Sequence, residues 1–233
     1  MECGRLLIGG QLVLGDRRKE LINPATGKVF AISPCASAEQ AERAIKAARA
    51  AQPDWAKRPA GERAAALLRL ADRMAERQND LARLLVQEQG KPIEAAQGEV
   101  GFGEAFVRHI ATLAPPVDIL QDDESYRIEV HRRPLGVVAA IVAWNFPILM
   151  ACFKLASAVM TGNTVILKPA PTTPLATLLL GEIASDIFPA GVLNVLADDN
   201  DIGPLLTGHP GIDKVSFTRS TAVGKKIAPN TAT

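Results

Sequence analysis

The spacing of apolar and polar positions divides this chain into three stretches. In the first, up to about Ala114, apolar residues recur at helical spacing among charged ones, which is typical of amphipathic helices. Ser37 and Gln40 have the spacing of a capping box, so we predict that a helix begins there. Gly90, followed by Pro92, predicts the end of a later helix. We therefore expect residues 1–118 to form a mainly helical part.

The second stretch alternates strictly between apolar and polar residues. In SYRIEVHRR, Tyr126, Ile128 and Val130 alternate with charged residues and a histidine. This pattern predicts a half-exposed strand within residues 119–135. Because a strand needs a hydrogen-bonded neighbour, this one must pair either elsewhere in the chain or with another subunit.

From residue 136 onward, short apolar runs alternate with helical segments. The runs that we interpret as strands cover residues 137–142, 164–167, 192–196 and 214–217. We predict that Gly162 and Asn163 end one intervening helix and that Thr173 and Pro174 begin the next. Strands buried on both faces read as unbroken apolar runs, so residues 136–233 predict an α/β fold with a right-handed, doubly wound parallel sheet.

Composition favours small-molecule chemistry over other classes of function. The chain has 233 residues, 48% of them hydrophobic, and its net charge is +1, so no overall field attracts nucleic acid or a membrane surface. Its three cysteines and three histidines are scattered without the spacing of a zinc site or a disulfide framework. No run reaches the roughly 18 apolar residues of a membrane helix, and the N-terminus does not resemble a signal peptide. We therefore expect a cytoplasmic protein.

Two polar residues stand where predicted parallel strands end, which is where such sheets bind ligands. Asn145 follows the first apolar run, and Lys168 ends the second. Asn145 is either a turn former or an amide that stabilises a developing oxyanion. Lys168 is either a solvated lysine or a ligand for a ribose hydroxyl or a phosphate. In FTRSTAVGKKI, a helix start with Ser220 and Thr221 hydroxyls could also bind phosphate, although the segment does not match a Walker A motif.

Taken together, these segments resemble the aldehyde dehydrogenase superfamily. The motifs that carry the resemblance follow the family's order and spacing: Trp144-Asn145-Phe146-Pro147, Lys154 to Gly162-Asn163, Lys168-Pro169, Phe217-Thr218, and Ser220-Thr221 to Gly224. Weaker matches at residues 23–27 and 88–91 extend the resemblance over essentially the whole chain. The resemblance implies a Rossmann-like domain that binds NAD or NADP, and oxidation of an aldehyde to a carboxylic acid through a cysteine thioester.

The resemblance also implies roles for individual residues. Asn145 would stabilise the oxyanion formed when a cysteine attacks the aldehyde, and Lys154 would lie near the reacting groups. Lys168 would bind the adenosine ribose. The other expected cofactor contacts are Ile141, Val142, Trp144, Phe217, Ser220 and Val223. The alternating strand around Ile128 resembles the arm through which family members assemble, so we expect a homo-oligomer.

The chain departs from the family pattern at two cofactor positions. Pro171 stands where the family often has a glutamate that holds the ribose 2′-hydroxyl. Proline has neither an acceptor nor a charge there, so we expect NADP to bind at least as well as NAD. Arg219 replaces the glycine that usually opens the turn before the last helix. Its side chain either obstructs the pyrophosphate or pairs with it, and we favour obstruction.

The third departure concerns catalysis. In the family, the general-base glutamate and the nucleophilic cysteine both lie beyond the position at which this sequence ends. Cys3, Cys35 and Cys152 do not have the matching context. We therefore expect these 233 residues to lack the catalytic domain and to be inactive alone. The alternatives are a non-catalytic nucleotide-binding module or an assembly partner of full-length subunits.

Overall fold

The computed structural model describes residues 3–218 and 220–231, and the chain begins with four short strands. The strands are β1 (Leu6–Ile8), β2 (Gln11–Val13), β3 (Arg17–Asn23) and β4 (Lys28–Cys35). They form two antiparallel pairs, β1 with β2 and β3 with β4. For residues 6–35 the expectation of helix is therefore wrong. The first two strands have only three residues each, which is too short for alternation to reveal them.

Four helices follow, as the apolar spacing predicts. They are α1 (Ala38–Lys57), α2 (Ala60–Glu76), α3 (Gln78–Gln89) and α4 (Ile93–Ala111). The capping box is confirmed, because the Gln40 backbone N–H donates to Ser37 Oγ and the Ser37 N–H donates to Gln40 Oε1. Gly90 ends α3 with a φ of +86°, and a Cβ there would meet Pro24 Cγ at 2.8 Å. Both the backbone angle and the close approach therefore require glycine.

The alternating segment forms an antiparallel hairpin of β5 (Asp118–Asp122) and β6 (Arg127–Val130). Every residue of β6 is exposed. The prediction of a strand is confirmed, and its neighbour within the chain is β5. The prediction that one face is buried is wrong for this chain, because both faces of β6 are open to solvent.

The central sheet has six strands in the order β10-β7-β8-β9-β1-β2. Its parallel strands are β7 (Val137–Ile141), β8 (Thr164–Lys168), β9 (Leu193–Val195) and β10 (Lys214–Phe217). The later helices are α5 (Pro147–Met160), α6 (Leu175–Ala184), α7 (Gly203–Gly208) and α8 (Thr221–Ile227), followed by a 3₁₀ turn at Ala228–Thr231. The predicted α/β fold with a parallel sheet is confirmed, and β1 extends it antiparallel to β9.

The start of α6 differs from the sequence prediction. The helix begins at Leu175, and the preceding Pro174 makes no side-chain cap. The Glu88 carboxylate, on α3, accepts hydrogen bonds from the backbone N–H groups of Leu175 and Ala176, at 2.6 and 3.1 Å. The predicted capping by Thr173 is therefore wrong, because a carboxylate distant in sequence satisfies these free amides instead.

The interior lies on the sheet and beneath α5. All residues of β7 and β8 are buried, as is expected of parallel strands covered on both faces. Ile148 and Leu155 of α5 are completely buried against this layer. Among the described residues, we find no helix whose length and apolar character would allow it to cross a membrane.

Candidate functional site

A cavity of about 300 Å³ opens where three parallel strands end. Four of the residues that the sequence singles out for cofactor binding line it: Ile141, Lys168, Phe217 and Val223. Six further lining residues come from the segments around α7 and α8: Asn200, Gly203, Pro204, Thr207, Lys226 and Ile227. Sequence reasoning did not identify the four residues around α7, because α7 is a short helix without a recognisable motif. Lys226 and Ile227 lie in the FTRSTAVGKKI segment but were not assigned to the cofactor.

The topology of the sheet explains the position of this cavity. From β7 the chain proceeds to β8 and β9 on one side, and then returns to place β10 on the other side of β7. Helices that follow strands on opposite sides of such a switch point diverge and leave a crevice at the carboxyl ends. Ile141 and Phe217 are the last residues of β7 and β10. The cavity therefore lies at the point where open α/β sheets bind ligands.

Lys168 contributes a buried charge to the cavity wall. Its side chain is 3% exposed, and its ammonium lies 2.5 Å from Asp198 Oδ1. The ammonium also donates to the carbonyl oxygen of Pro169 at 3.3 Å. Asp198 in turn accepts a hydrogen bond from the Ile202 N–H at 3.2 Å, immediately before α7. The lysine is thus fixed by a carboxylate that sequence reasoning missed.

Three other predicted contacts do not line the cavity. Val142 is buried, and its N–H donates to the carbonyl oxygen of Lys168 at 2.9 Å. Pro171 is buried in the turn after β8. Ser220 is exposed, with extended backbone angles at the position before α8. The prediction about Arg219 concerns a residue outside the described part of the chain.

Trp144 lines a different cavity, of about 650 Å³. Its side chain is 52% exposed, and other lining residues come from β3 and from the end of α3, including Leu21, Ile22 and Glu88. The structure therefore does not bring Trp144 together with the four residues of the first cavity.

A buried ion pair holds the corner that contains Asn145. Lys91 pairs with the carboxylate of Glu99, and the two side chains are 9% and 0% exposed. The Lys91 ammonium donates to the carbonyl oxygen of Asn145 at 2.9 Å and lies 4.4 Å from the centre of the Phe146 ring. The asparagine residue itself is exposed, so its amide is open to a ligand.

Glu99 also fixes the start of α5. Its Oε1 accepts hydrogen bonds from the N–H groups of Ile148 and Leu149, at 2.9 and 3.2 Å. These amides have no partner within the helix, so a carboxylate there satisfies two free donors and interacts favourably with the helix dipole. Sequence reasoning missed Glu99, because a single glutamate within a helical pattern normally indicates a solvated face.

Lys154 lies on α5 and donates to Ser216 Oγ, on β10, at 2.9 Å. Partial burial, together with the charge of nearby Lys214, lowers the pKa of Lys154 to about 8. Taken alone, a lysine on a helix would be assigned to the surface. The structure instead places this ammonium in a partly desolvated position between a helix and the sheet.

Two of the cysteines are poorly suited to act as nucleophiles. Burial and the nearby Asp198 charge raise the pKa of the Cys35 thiol to about 11. Cys152 is completely buried on α5, and this burial raises its pKa further. A nucleophilic cysteine needs an accessible setting that lowers its pKa, and neither residue has one.

Comparisons with known proteins agree with this architecture. The family profile described as aldehyde dehydrogenase family matches residues 14–233. A 3,6-anhydro-L-galactose dehydrogenase structure is 36% identical, with a TM-score of 0.92 over 99% of this chain and 50% of that chain. An NADP-dependent enzyme from E. coli is 36% identical, with a TM-score of 0.94 over 99% and 50%. An aldehyde dehydrogenase from Bacillus cereus, in an NAD⁺ complex, is 34% identical, with a TM-score of 0.94 over 99% and 49%. The present chain thus spans about half the length of these proteins.

Proposed function

Because this chain belongs to the aldehyde dehydrogenase family, we propose that it forms the dinucleotide-binding part of an oxidoreductase that converts aldehydes to carboxylic acids. The observation that carries the proposal is the cavity at the switch point of the sheet, which is lined by four residues that the motifs assign to the cofactor. Solved relatives bound to NAD⁺ and named as NADP-dependent support the choice of cofactor.

The chemistry of the cavity fits the adenosine half of a dinucleotide. Ile141, Phe217 and Val223 provide an apolar wall for adenine, and Lys168 provides a donor for a ribose hydroxyl. Ser220, before α8, is available to the phosphates. When bound, the nicotinamide half of the cofactor accepts the hydride that the aldehyde loses.

The corner at Asn145 supports a second role, in binding the reacting oxygen. Its exposed side-chain amide is a neutral donor, and Lys91 and Glu99 hold the backbone that carries it. A donor fixed in advance stabilises a developing oxyanion without reorganisation. We assign Lys154 to the same region, where its lowered pKa makes it sensitive to nearby charge.

The 233 residues alone should bind the cofactor without oxidising aldehydes. This part of the proposal rests on the burial of Cys35 and Cys152, which raises the pKa of both thiols, and on the sequence around Cys3, which does not match the context of the family's nucleophile. Adding propanal and NAD or NADP to the purified chain should produce no NAD(P)H absorbance. Turnover above a blank would contradict this assignment.

The β5–β6 hairpin supports assembly of several copies. An isolated two-stranded hairpin is only marginally stable in water, and this one exposes apolar side chains. They are Ile119, Leu120, Tyr126, Ile128 and Val130. We propose that this hairpin forms the subunit contact of a homo-oligomer.

An aldehyde substrate is inferred from the family, and a cytoplasmic location stays a prediction from the sequence.

Calorimetric titration of the chain with NAD and NADP tests the proposed site. We expect saturable binding at one site per chain, and Val223→Trp should weaken it by at least about tenfold, because the indole fills the cavity. Val29→Trp is the matched control, since Val29 is 50% exposed on β4 and does not line this cavity. Equal affinity for the Val223→Trp and Val29→Trp variants would contradict the location of the site.

A further inference from the structure

The loop between β9 and α7 contains three aspartates whose side chains point to different partners. Asp199 pairs with Lys19 and Asp201 pairs with Arg17, and both carboxylates are substantially exposed. Asp198 instead turns inward, where its side chain is completely buried and lies 2.5 Å from the Lys168 ammonium. The wall of the cavity therefore contains Lys168, whose charge is compensated by a buried carboxylate that does not itself line the cavity.

We infer that Asp198 selects the cofactor and makes this chain prefer NAD over NADP, an inference that rests on the proposed dinucleotide site. Lys168 ends β8 and lines the cavity, and Asp198, in the loop after the neighbouring strand β9, is buried against its ammonium. A ribose 2′-hydroxyl is uncharged and can accept a hydrogen bond from the Lys168 ammonium, while the buried Asp198 carboxylate keeps the pair neutral overall. The pair is therefore complementary to an unphosphorylated ribose.

The 2′-phosphate of NADP should bind less favourably at Lys168 than the 2′-hydroxyl of NAD does. It carries close to two negative charges, and at the Lys168 ammonium it would be held near the buried Asp198 carboxylate. Like charges repel strongly where water is excluded, and Lys168 is already neutralised. Among the described residues that line the cavity, the other cation is Lys226, which is exposed, so its attraction for a phosphate is screened by solvent.

Asp198 also compensates for Pro171 in the choice between the two cofactors. Proline at that position removes an acceptor and a repulsive charge from the turn after β8, which taken alone would permit NADP. Asp198 supplies the negative charge again from the loop after the neighbouring strand β9, where its carboxylate is buried against Lys168. The residue that determines the preference is therefore on a different loop from the one on which the family motif depends.

Dissociation constants for NAD and NADP, measured by calorimetry on the 233-residue chain, test the inference. The wild-type chain should bind NAD at least about tenfold more tightly than NADP, because like-charge contacts strongly disfavour the phosphate. Asp198→Asn keeps the shape and removes the charge, so it should lower this ratio to about one or invert it. Asp199→Asn is the matched control, because it removes the same charge from the same loop but faces Lys19.

Wild-type binding of NADP as tight as that of NAD would overturn the inference, and this result does not require any variant to fold. An unchanged ratio in folded Asp198→Asn, or an equal change in Asp199→Asn, would also overturn it. All three outcomes leave the proposed function intact. Failure of the wild-type chain to bind either dinucleotide would instead overturn the proposed function, and the inference with it.

Discussion

Single residues in this chain owe their chemistry to neighbours that are remote in sequence. Lys154 illustrates the point, because its partial burial and the charge of Lys214 lower its pKa from 10.5 to about 8. In the unfolded chain the same lysine returns to its ordinary pKa. Between these two values the unfolded state binds more protons than the folded state, so this group makes the protein more stable as the pH rises.

The pH dependence of stability therefore tests the environment of Lys154. Urea unfolding of the wild-type chain and of Lys154→Met should be compared at pH 7 and at pH 10. The free energy of unfolding of the wild type, relative to the variant, should increase between these pH values, because the cost of burying the charge is removed. The other titratable groups are present in both proteins, so their contributions cancel in the difference between the two free energies of unfolding. A difference that does not change with pH would contradict the lowered pKa.

The separation in sequence between interacting residues determines which site residues could be predicted. Ile141, Lys168 and Phe217 could be identified because each ends a recognisable apolar run, and strand ends define the crevice. Asp198 and Glu99 could not be identified, because Lys168 lies 30 positions from Asp198 and the α5 amides lie 49 and 50 positions from Glu99. No local pattern distinguishes such carboxylates from solvated ones.

At the scale of elements, the first backbone amides of two helices in the cofactor-binding part donate to carboxylates on other helices. Glu99 of α4 satisfies the first amides of α5, and Glu88 of α3 satisfies those of α6. The residues before these helices, Phe146 and Pro174, make no side-chain cap of their own. Hydrogen bonds from α3 and α4 therefore fix the first residues of α6 and α5, which follow the carboxyl ends of β8 and β7, where the site lies.

Neutralising Glu99 should show how strongly its ion pair with Lys91 contributes to stability. Glu99→Gln retains an acceptor for the α5 amides but leaves the Lys91 charge without its buried partner. We expect the free energy of unfolding to fall by about 3 kcal/mol, as for other broken buried ion pairs. Glu94→Gln, at an exposed position on the same helix, should change it by less than about 1 kcal/mol. Equal effects of the two substitutions in urea titrations would contradict the role of the ion pair.

Elements differ in how well the sequence predicts them. The parallel strands β7 and β8 are predicted nearly residue for residue, because burial on both faces leaves a nearly unbroken apolar run. The bounds of β10 are also predicted, although its residues are exposed or half-buried. The strands before Ser37 are missed, since β2 and most of β3 are exposed or half-buried and do not show a regular alternation. Their position depends on long-range pairing, such as that of β1 with β9.

At the scale of the whole molecule, the β5–β6 hairpin has both faces of β6 exposed, so we expect it to form the contact between copies. The wild-type chain should elute as dimers or larger species in light scattering. Ile128→Lys should shift it toward monomers, because a charge would replace an apolar side chain that is 45% exposed. Val29→Lys, at a comparably exposed position on β4, should leave the assembly unchanged. A monodisperse wild-type monomer would contradict assembly through this hairpin.

The function proposed for the molecule depends on where the cofactor binds, and a crystal structure of the chain grown with NAD would locate it. We expect the adenosine half in the cavity between Ile141, Lys168, Phe217 and Val223, at the switch point of the sheet. Density for adenosine in the cavity beside Trp144, or elsewhere on the surface with the predicted cavity empty, would contradict this location.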